Sequence, residues 1–246
     1  MIDYIFKYQA SIFIDGNDMV YSPSLISTLL SLFSDMKMAP STFREITTPN
    51  PKPELRVKLF SSDDKGWEII FGSRRIDILR KPFMPNDKDA IDLSTFCNEV
   101  PDLFNRVIEK LDKKAKRLSL ITSVLLKEMT NAELNNTYLK LFKPFSVYKD
   151  NPAYEWIWKS VIKKSEELID LNEELNLITV IKRIGGQLEL NNTVMPIDRI
   201  QLSFDLNTSQ SKMENRFSDN HIKEFYKKAK SMHDDLTKDV KDVIYG

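Results

Sequence analysis

The stretch VPDLFNRVIEKLDKKAKRLSLITSVLLKEM, residues 100–129, decides the fold. Its first part sets Phe104, Val107, Ile108 and Leu111 on one helical face, and its last part alternates Leu118, Leu120, Thr122, Val124 and Leu126 with period two. A helix therefore gives way to a strand near residue 116. Pro101 predicts that this helix starts there, with Phe96 in a lead-in turn, because an internal proline removes a backbone donor. Lys110, Lys113, Lys114, Lys116 and Arg117 crowd the helix end, where cations match the helix dipole. The strand also carries Ile121 and Leu125 on its second face, which predicts a central strand covered on both sides for part of its length.

On either side of this stretch the element order is similar: a strand, a short helix, several strands, a closing helix. The expectation is an α+β fold of two similar halves, each a mainly antiparallel sheet packed with helices. Residues 1–115 form the first half and 116–246 the second, joined in one compact unit.

In the first half, Ile2, Tyr4, Phe6, Tyr8, Ala10, Ile12 and Ile14 predict one face of a strand ended by Gly16-Asn17. Ser22 caps a helix with Pro23 in its first turn, and Leu25, Ile26, Leu29, Leu30, Phe33 and Met36 form its apolar side. After PNPKP at 49–53, strands follow at Leu55–Leu59, Trp67–Phe71 and Ile76–Ile78, the first two joined by a turn at Asp63-Asp64-Lys65-Gly66. Pro82 and Pro85 mark a surface loop.

In the second half, Asn131 caps a helix bearing Leu134, Tyr138, Leu141 and Phe142, stopped by Pro144. Residues 154–162 fit a strand or a helix; the alternation of Tyr154, Trp156 and Trp158 and the repeated element order favour the strand. Another begins at Leu175 and leads to a hairpin at Gly185-Gly186, and Ile200, Leu202, Phe204 and Leu206 define the last. Residues 207–216 read as a polar loop. Ser218 caps a long final helix whose stripe runs Ile222, Phe225, Tyr226, Ala229, Met232, Leu236, Val240, Val243. That stripe offers more apolar surface than one small half covers, which points to homodimerisation. Its other faces mix acids with lysines, which argues against membrane contact.

Composition narrows the function class. Of 246 residues 41% are hydrophobic and 29% charged, and the net charge is zero, so the chain as a whole advertises no polyanion or anionic membrane. A single cysteine, Cys97, cannot form an internal disulfide and fits a reducing, cytoplasmic setting. The opening MIDYIFKYQA lacks a signal-peptide pattern, and no apolar run reaches the roughly 20 residues that span a bilayer. The sequons at Asn135 and Asn191 would matter only in a secreted chain.

Pro53-Glu54-Leu55, Gly66-Trp67, Phe71, Ile76-Asp77 and Asp205-Leu206-Asn207, followed by Phe217 and the terminal helix, carry a likeness. With them the chain resembles a sporadically distributed family of uncharacterised bacterial proteins of about this length. That resemblance implies a bacterial or phage setting and this order of elements. It implies no catalytic residue, since the family has no established activity.

Candidate chemistry is sparse. Arg56, Lys58, Arg74, Arg75, Arg80 and Lys81 are the clearest basic feature, a candidate sheet surface for nucleic-acid phosphates or simply a solvated face. Asp198, Asp205 and Asn207 bracket the last strand and are candidates for a metal-assisted hydrolase, although Asp198 has the opposite strand parity and strand-end turns use the same residue types. His233 borders the apolar stripe beside Asp234-Asp235 and fits packing better than acid–base work. It lies about 18 Å along the helix from His221, too far for a shared metal. Cys97, beside Phe96, reads as packing rather than as a nucleophile. There is no glycine-rich phosphate loop, serine elbow, paired-cysteine site or HExxH, and no cofactor is expected. The expectation is a non-enzymatic protein-interaction or accessory protein with a protein partner or a second copy. Nucleic-acid binding and metal-assisted hydrolysis are the alternatives.

Overall fold

The computed structural model describes residues 2–47, 52–61, 66–80, 90–190, 193–212 and 214–246. The chain runs β1 (Ile2–Phe13), α1 (Pro23–Leu32), β2 (Met38–Glu45), β3 (Glu54–Ser61), β4 (Trp67–Phe71), β5 (Arg75–Arg80) and α2 (Leu93–Lys110). It continues with β6 (Arg117–Leu126), α3 (Asn131–Leu141), α4 (Ser146–Asp150), β7 (Trp156–Leu168), β8 (Leu171–Leu190), β9 (Thr193–Thr208) and α5 (Asp219–Tyr245).

All nine strands form one antiparallel sheet in the order β2-β3-β4-β5-β1-β6-β9-β8-β7. The expected α+β class holds, but the sheet is single, because β1 and β6 pair with each other from Ile2↔Leu126 to Phe13↔Arg117. Edge pairing at the centre satisfies backbone groups that two separate sheets would leave open. The expected central strand is β6, seated between β1 and β9.

One sheet face is mainly apolar. Ile12, Ala10, Leu118, Leu120, Phe204, Leu202, Ile76, Ile78, Val57, Leu59, Leu175 and Ile181 share it through the cross-strand register, and all are buried. Helices cover this face, with α2 and α5 packed on one another over β1 and β6. Tyr226 of α5 is fully buried there, and its hydroxyl donates to the carbonyls of Ser11 (3.1 Å) and Ser119 (3.2 Å) on the two central strands. The α5 stripe is thus covered within the chain from Ile222 to Val240, and of the residues expected on it Val243 is exposed.

Several local expectations change for tertiary reasons. Helix α2 begins at Leu93, capped by Asp92 accepting from the Thr95 N–H (2.7 Å), and runs through Pro101. Phe96, Val100, Leu103, Phe104 and Val107 are buried along one continuous stripe, and that burial outweighs the missing donor. Thr130, not Asn131, caps α3, through a reciprocal box with Glu133. The edge strand β2, with Pro40 inside it, was not expected; a proline is tolerated where one backbone side has no strand to serve. Register shifts at Ile2/Tyr4 and Ile5/Lys7 break the single face expected for β1, so Ile5 is buried while Phe6 is half-exposed.

Gly185-Gly186 is not a hairpin but part of β8, paired with Asp198 and Ile197. A Cβ on Gly185 would meet the Tyr154 hydroxyl at 2.7 Å, and Gly186 has φ +146°, so the pair serves a close approach and a strand irregularity. The strand expected at 154–162 is β7. Ser22 accepts from the Leu25 N–H (3.2 Å) and Ser218 is the N-cap of α5, both as expected. Asp63, Asp64, Lys65, Lys81, Pro82, Pro85, Asn191 and most of PNPKP lie outside the described residues; Gly66, at φ 68°, suits the end of a turn.

Candidate functional site on the helix-free face

The other sheet face carries no packed helix among the described residues. A row of paired positions crosses all nine strands on it: Ser41, Lys58, Ile70, Asp77, Ser11, Ser119, Asn207, Asn176 and Lys163. At the centre these side chains bond to each other. Asp77 Oδ1 accepts from Ser11 Oγ (2.6 Å) and Gln9 Nε2 (3.1 Å), while Oδ2 lies 2.9 Å from Arg75 Nε. On the β6–β9 side, Asn207 Oδ1 accepts from Arg117 (2.8 Å) and Asn176 (3.1 Å), and its amide donates to Asp205 (2.9 Å). Ser119 adds a longer contact to Asp205 (3.3 Å).

Gln9, Ser11, Asp77, Ser119 and Asn207 are buried although no helix among the described residues lies over them. Their long neighbours shield them: the Arg117 guanidinium lies 4.7 Å from the centre of the Phe13 ring and donates to the Thr208 carbonyl (3.1 Å). Burial pulls the Lys7 ammonium below the ordinary lysine value, against the upward pull of Asp77 and Asp205. Around this centre sit half-buried apolar side chains, Phe60, Ile70, Leu79, Ile121 and Ile178. The polar groups here are already paired with one another, so the face is built to present a shaped, ordered surface.

The residues singled out from sequence divide. Arg56, Lys58 and Arg75 share this face by register, but each has an acidic partner: Glu45 and Glu54 for Arg56, Glu68 for Lys58, Asp77 for Arg75. Arg80 is buried on the helix-covered face, 5.3 Å from the Trp67 ring centre, and Arg74 lies in the turn before β5. The five described members of the basic group do not form one open patch.

Asp205 and Asn207 belong to the central network, whereas Asp198 lies on the opposite face. There Arg183 donates to both Asp198 oxygens (2.7 and 2.6 Å) and to Asn131 of α3 (2.9 Å). The Arg183 hydrogen bonds hold the Asp198 carboxyl below the usual range. The three proposed oxygen ligands therefore do not converge, and no cluster of three His, Cys, Asp or Glu side chains suited to a metal occurs among the described residues.

His221 bonds its Nδ1 to the Ser218 N–H (3.1 Å) and its Nε2 to Asp170 (2.7 Å), which locks it into the α5 cap. Burial pushes the Cys97 thiol up to about 12, the behaviour of a packed cysteine.

His233 packs edge-on to Phe204, ring centres 4.9 Å apart, and its Nδ1 lies 3.8 Å from Asp234, beyond hydrogen-bond reach. Burial pulls the imidazole down to about 4 from 6.5, with Asp234 opposing. A histidine held neutral in the fold stabilises it above pH 6.5, and that contribution is lost as pH falls toward 4, because the unfolded chain takes up the proton first. The loss reaches on the order of 3 kcal/mol at the bottom of that window. Urea titrations across it should show stability falling with pH, and His233→Phe should flatten the dependence; an unchanged slope in that variant would refute the assignment.

Sequence reasoning passed over Lys7, Gln9, Ser11, Asp77, Ser119 and Asn176. The available signal was the second face of β1, where Lys7, Gln9 and Ser11 alternate with Tyr8, Ala10 and Ile12. No family model, curated protein or solved structure matches the chain. No described helix is long and apolar enough to cross a membrane.

Proposed function

We propose that the chain is a non-enzymatic interaction protein, an accessory component of a bacterial or phage-associated system, that receives a protein partner on the helix-free face of its sheet. One observation carries this reading. Among the described residues, helices cover one side of the sheet and leave the other open, with Phe60, Ile70, Leu79, Ile121 and Ile178 half-buried around a hydrogen-bonded polar centre. Apolar side chains interleaved with paired polar groups are a composition found on protein-binding surfaces, which as a whole are about as apolar as the rest of a protein. A cytoplasmic setting belongs to the same proposal and is supported by the lone, buried Cys97.

The proposal includes two related halves, 1–115 and 116–246, meeting where α2 gives way to β6. Supporting it, the first strand of each half sits at the centre of the sheet, and the strands that follow return toward it from the outside. The spatial order runs β1-β5-β4-β3-β2 outward on one side and β6-β9-β8-β7 on the other. Each half also places a helix after its first strand and another at its end.

Nucleic-acid contact is the second reading. It is favoured by Lys7, Arg117, Lys159 and Lys182, which share the open face and form no salt bridge among the described residues. A photo-cross-linking amino acid placed at Leu79 or Ile178, and as a control at the exposed Lys227 on α5, separates the readings in the native cells. The expected result is a discrete protein adduct from both sheet positions and none from Lys227. A nuclease-sensitive adduct would transfer the assignment to nucleic acid, and equal adducts from Lys227 would remove the face from consideration.

A further inference from the structure

We propose that the outer edge of β7 pairs with β7 of a second copy of this chain, antiparallel about a twofold axis through Ser165, joining the two sheets into one. The two edges of the sheet differ. β2 is 8 residues long and carries Pro40, which blunts it, whereas β7 is 13 residues long, contains no proline and pairs only with β8. A long, unguarded edge strand presents a row of backbone donors and acceptors to any matching strand.

What selects the partner is the sequence of the edge, Val161-Ile162-Lys163-Lys164-Ser165-Glu166-Glu167-Leu168-Ile169. Read against itself in the opposite direction about Ser165, it sets each lysine against a glutamate. Lys163 meets the partner's Glu167, and Lys164 meets the partner's Glu166, which Lys164 and Lys228 of its own chain already hold, with every contact repeated on the other side of the axis. Members of each pair differ by an even number of positions, so both side chains project from the same sheet face, as cross-strand neighbours must. A shift of the axis by one residue, to Lys164 or Glu166, sets lysine against lysine or glutamate against glutamate and loses the match.

Exposure fits an edge open to a partner. Val161 and Ile169 are 52% and 53% exposed, though both are aliphatic and β-branched. Ile169 also takes φ 62°, a left-handed conformation unfavourable for such a residue, at the exposed tip of the β7–β8 hairpin. Glu167 is exposed and forms no salt bridge among the described residues, while Lys163 reaches only the half-buried Glu174 of its own chain (2.8 Å). Lysines alone would read as guards against edge pairing. Glutamates at the mirrored positions cancel that guard for one partner only, an identical strand.

The test uses the intact chain. Sedimentation from micromolar to millimolar concentration should show mass rising from monomer to dimer, less so at high salt, where exposed ion pairs are screened. Lys163→Glu should weaken the association by about tenfold or more, since it sets glutamate against glutamate twice per dimer. Glu167→Lys should do the same, and the double variant Lys163→Glu/Glu167→Lys should restore it. Both side chains are exposed, and circular dichroism verifies that each variant keeps the fold. Opposed residues in an antiparallel pair lie about 4.5–5.5 Å apart at Cα, within disulfide range. Mild oxidation should therefore link Ser165→Cys into a covalent dimer but leave Lys159→Cys monomeric. A monomer at all concentrations, a Lys163→Glu variant that associates like the parent, or a charge-swapped double variant no better than the single ones would overturn the pairing. None of these results bears on cross-linking at Leu79 or Ile178, so the edge and the open face stand or fall separately.

Discussion

Glu173→Ala should destabilise the chain by about 3–5 kcal/mol, the usual cost of stranding one member of a buried ion pair. Glu173, on β8, is fully buried and holds three donors: Arg216 Nε at 2.9 Å, a second Arg216 nitrogen at 3.2 Å, and Lys212 Nζ at 2.8 Å. Arg216 is itself almost wholly enclosed, stacked 4.6 Å over Phe217 and donating to the carbonyls of Lys116, Lys212 and Ser209. Removing the carboxylate leaves that guanidinium with carbonyl partners alone in a site shut off from water. Urea unfolding of parent and variant measures the difference, and a loss under about 1 kcal/mol would show the pair to be peripheral. Replacing both partners at once, as Glu173→Leu/Arg216→Met, should recover a large part of the loss, because no charge is then buried without its complement.

Arg56→Ala should cost a similar amount, about 3–5 kcal/mol, by the same mechanism at the other end of the sheet. Arg56 is fully buried on β3. Its Nε lies 3.0 Å from Glu45 of β2, a second nitrogen bonds to Glu54, and the third donates to the carbonyls of Gly16 (3.0 Å) and Asn17 (3.4 Å). Glu45 also accepts from the Ser73 N–H (2.9 Å), so one arginine ties the β1–α1 connection, the β2 edge and the β4–β5 turn together. Arg56→Lys keeps the charge but loses the planar fork and should fall between parent and alanine variant. Arg75→Ala is the contrast: its side chain is half-exposed beside Asp77, and the expected cost is within about 1 kcal/mol. Equal losses at the two positions would refute the distinction between them.

The contrast between Arg56 and Arg75 shows where sequence stops. Both lie in or beside strands that sequence alone locates, and pattern reasoning grouped them in one basic sheet surface because those strands are neighbours, although Arg75 has the opposite parity to Arg74 and Arg80. Strand parity says which side of a sheet a residue is on; it does not say which connection folds back over it. Arg56 is buried because residues Gly16 and Asn17, forty positions earlier, pass across it. Pro101 makes the same point for a helix: its local cost is real, and a stripe of buried side chains on both sides of it overrides that cost.

By itself the sequence determined which segments are strands and helices wherever alternation or a capped apolar stripe was strong, as in β3, β4, β6, β9 and α5, and it determined the α+β class. These are properties of neighbours along the chain, set by the 2.0 and 3.6 residue periods and by caps that bond within one turn. Only the tertiary structure decided that β1 pairs with β6 to make one sheet, and that Asp77 and Asn207 anchor a polar centre on its open face. It alone decided that Asp198 is tied to Arg183 while Asp205 joins the central network, and that β7 is left at an edge. Those outcomes depend on strand order and register, which are chosen by the burial of the whole apolar face at once and leave no mark in any single segment.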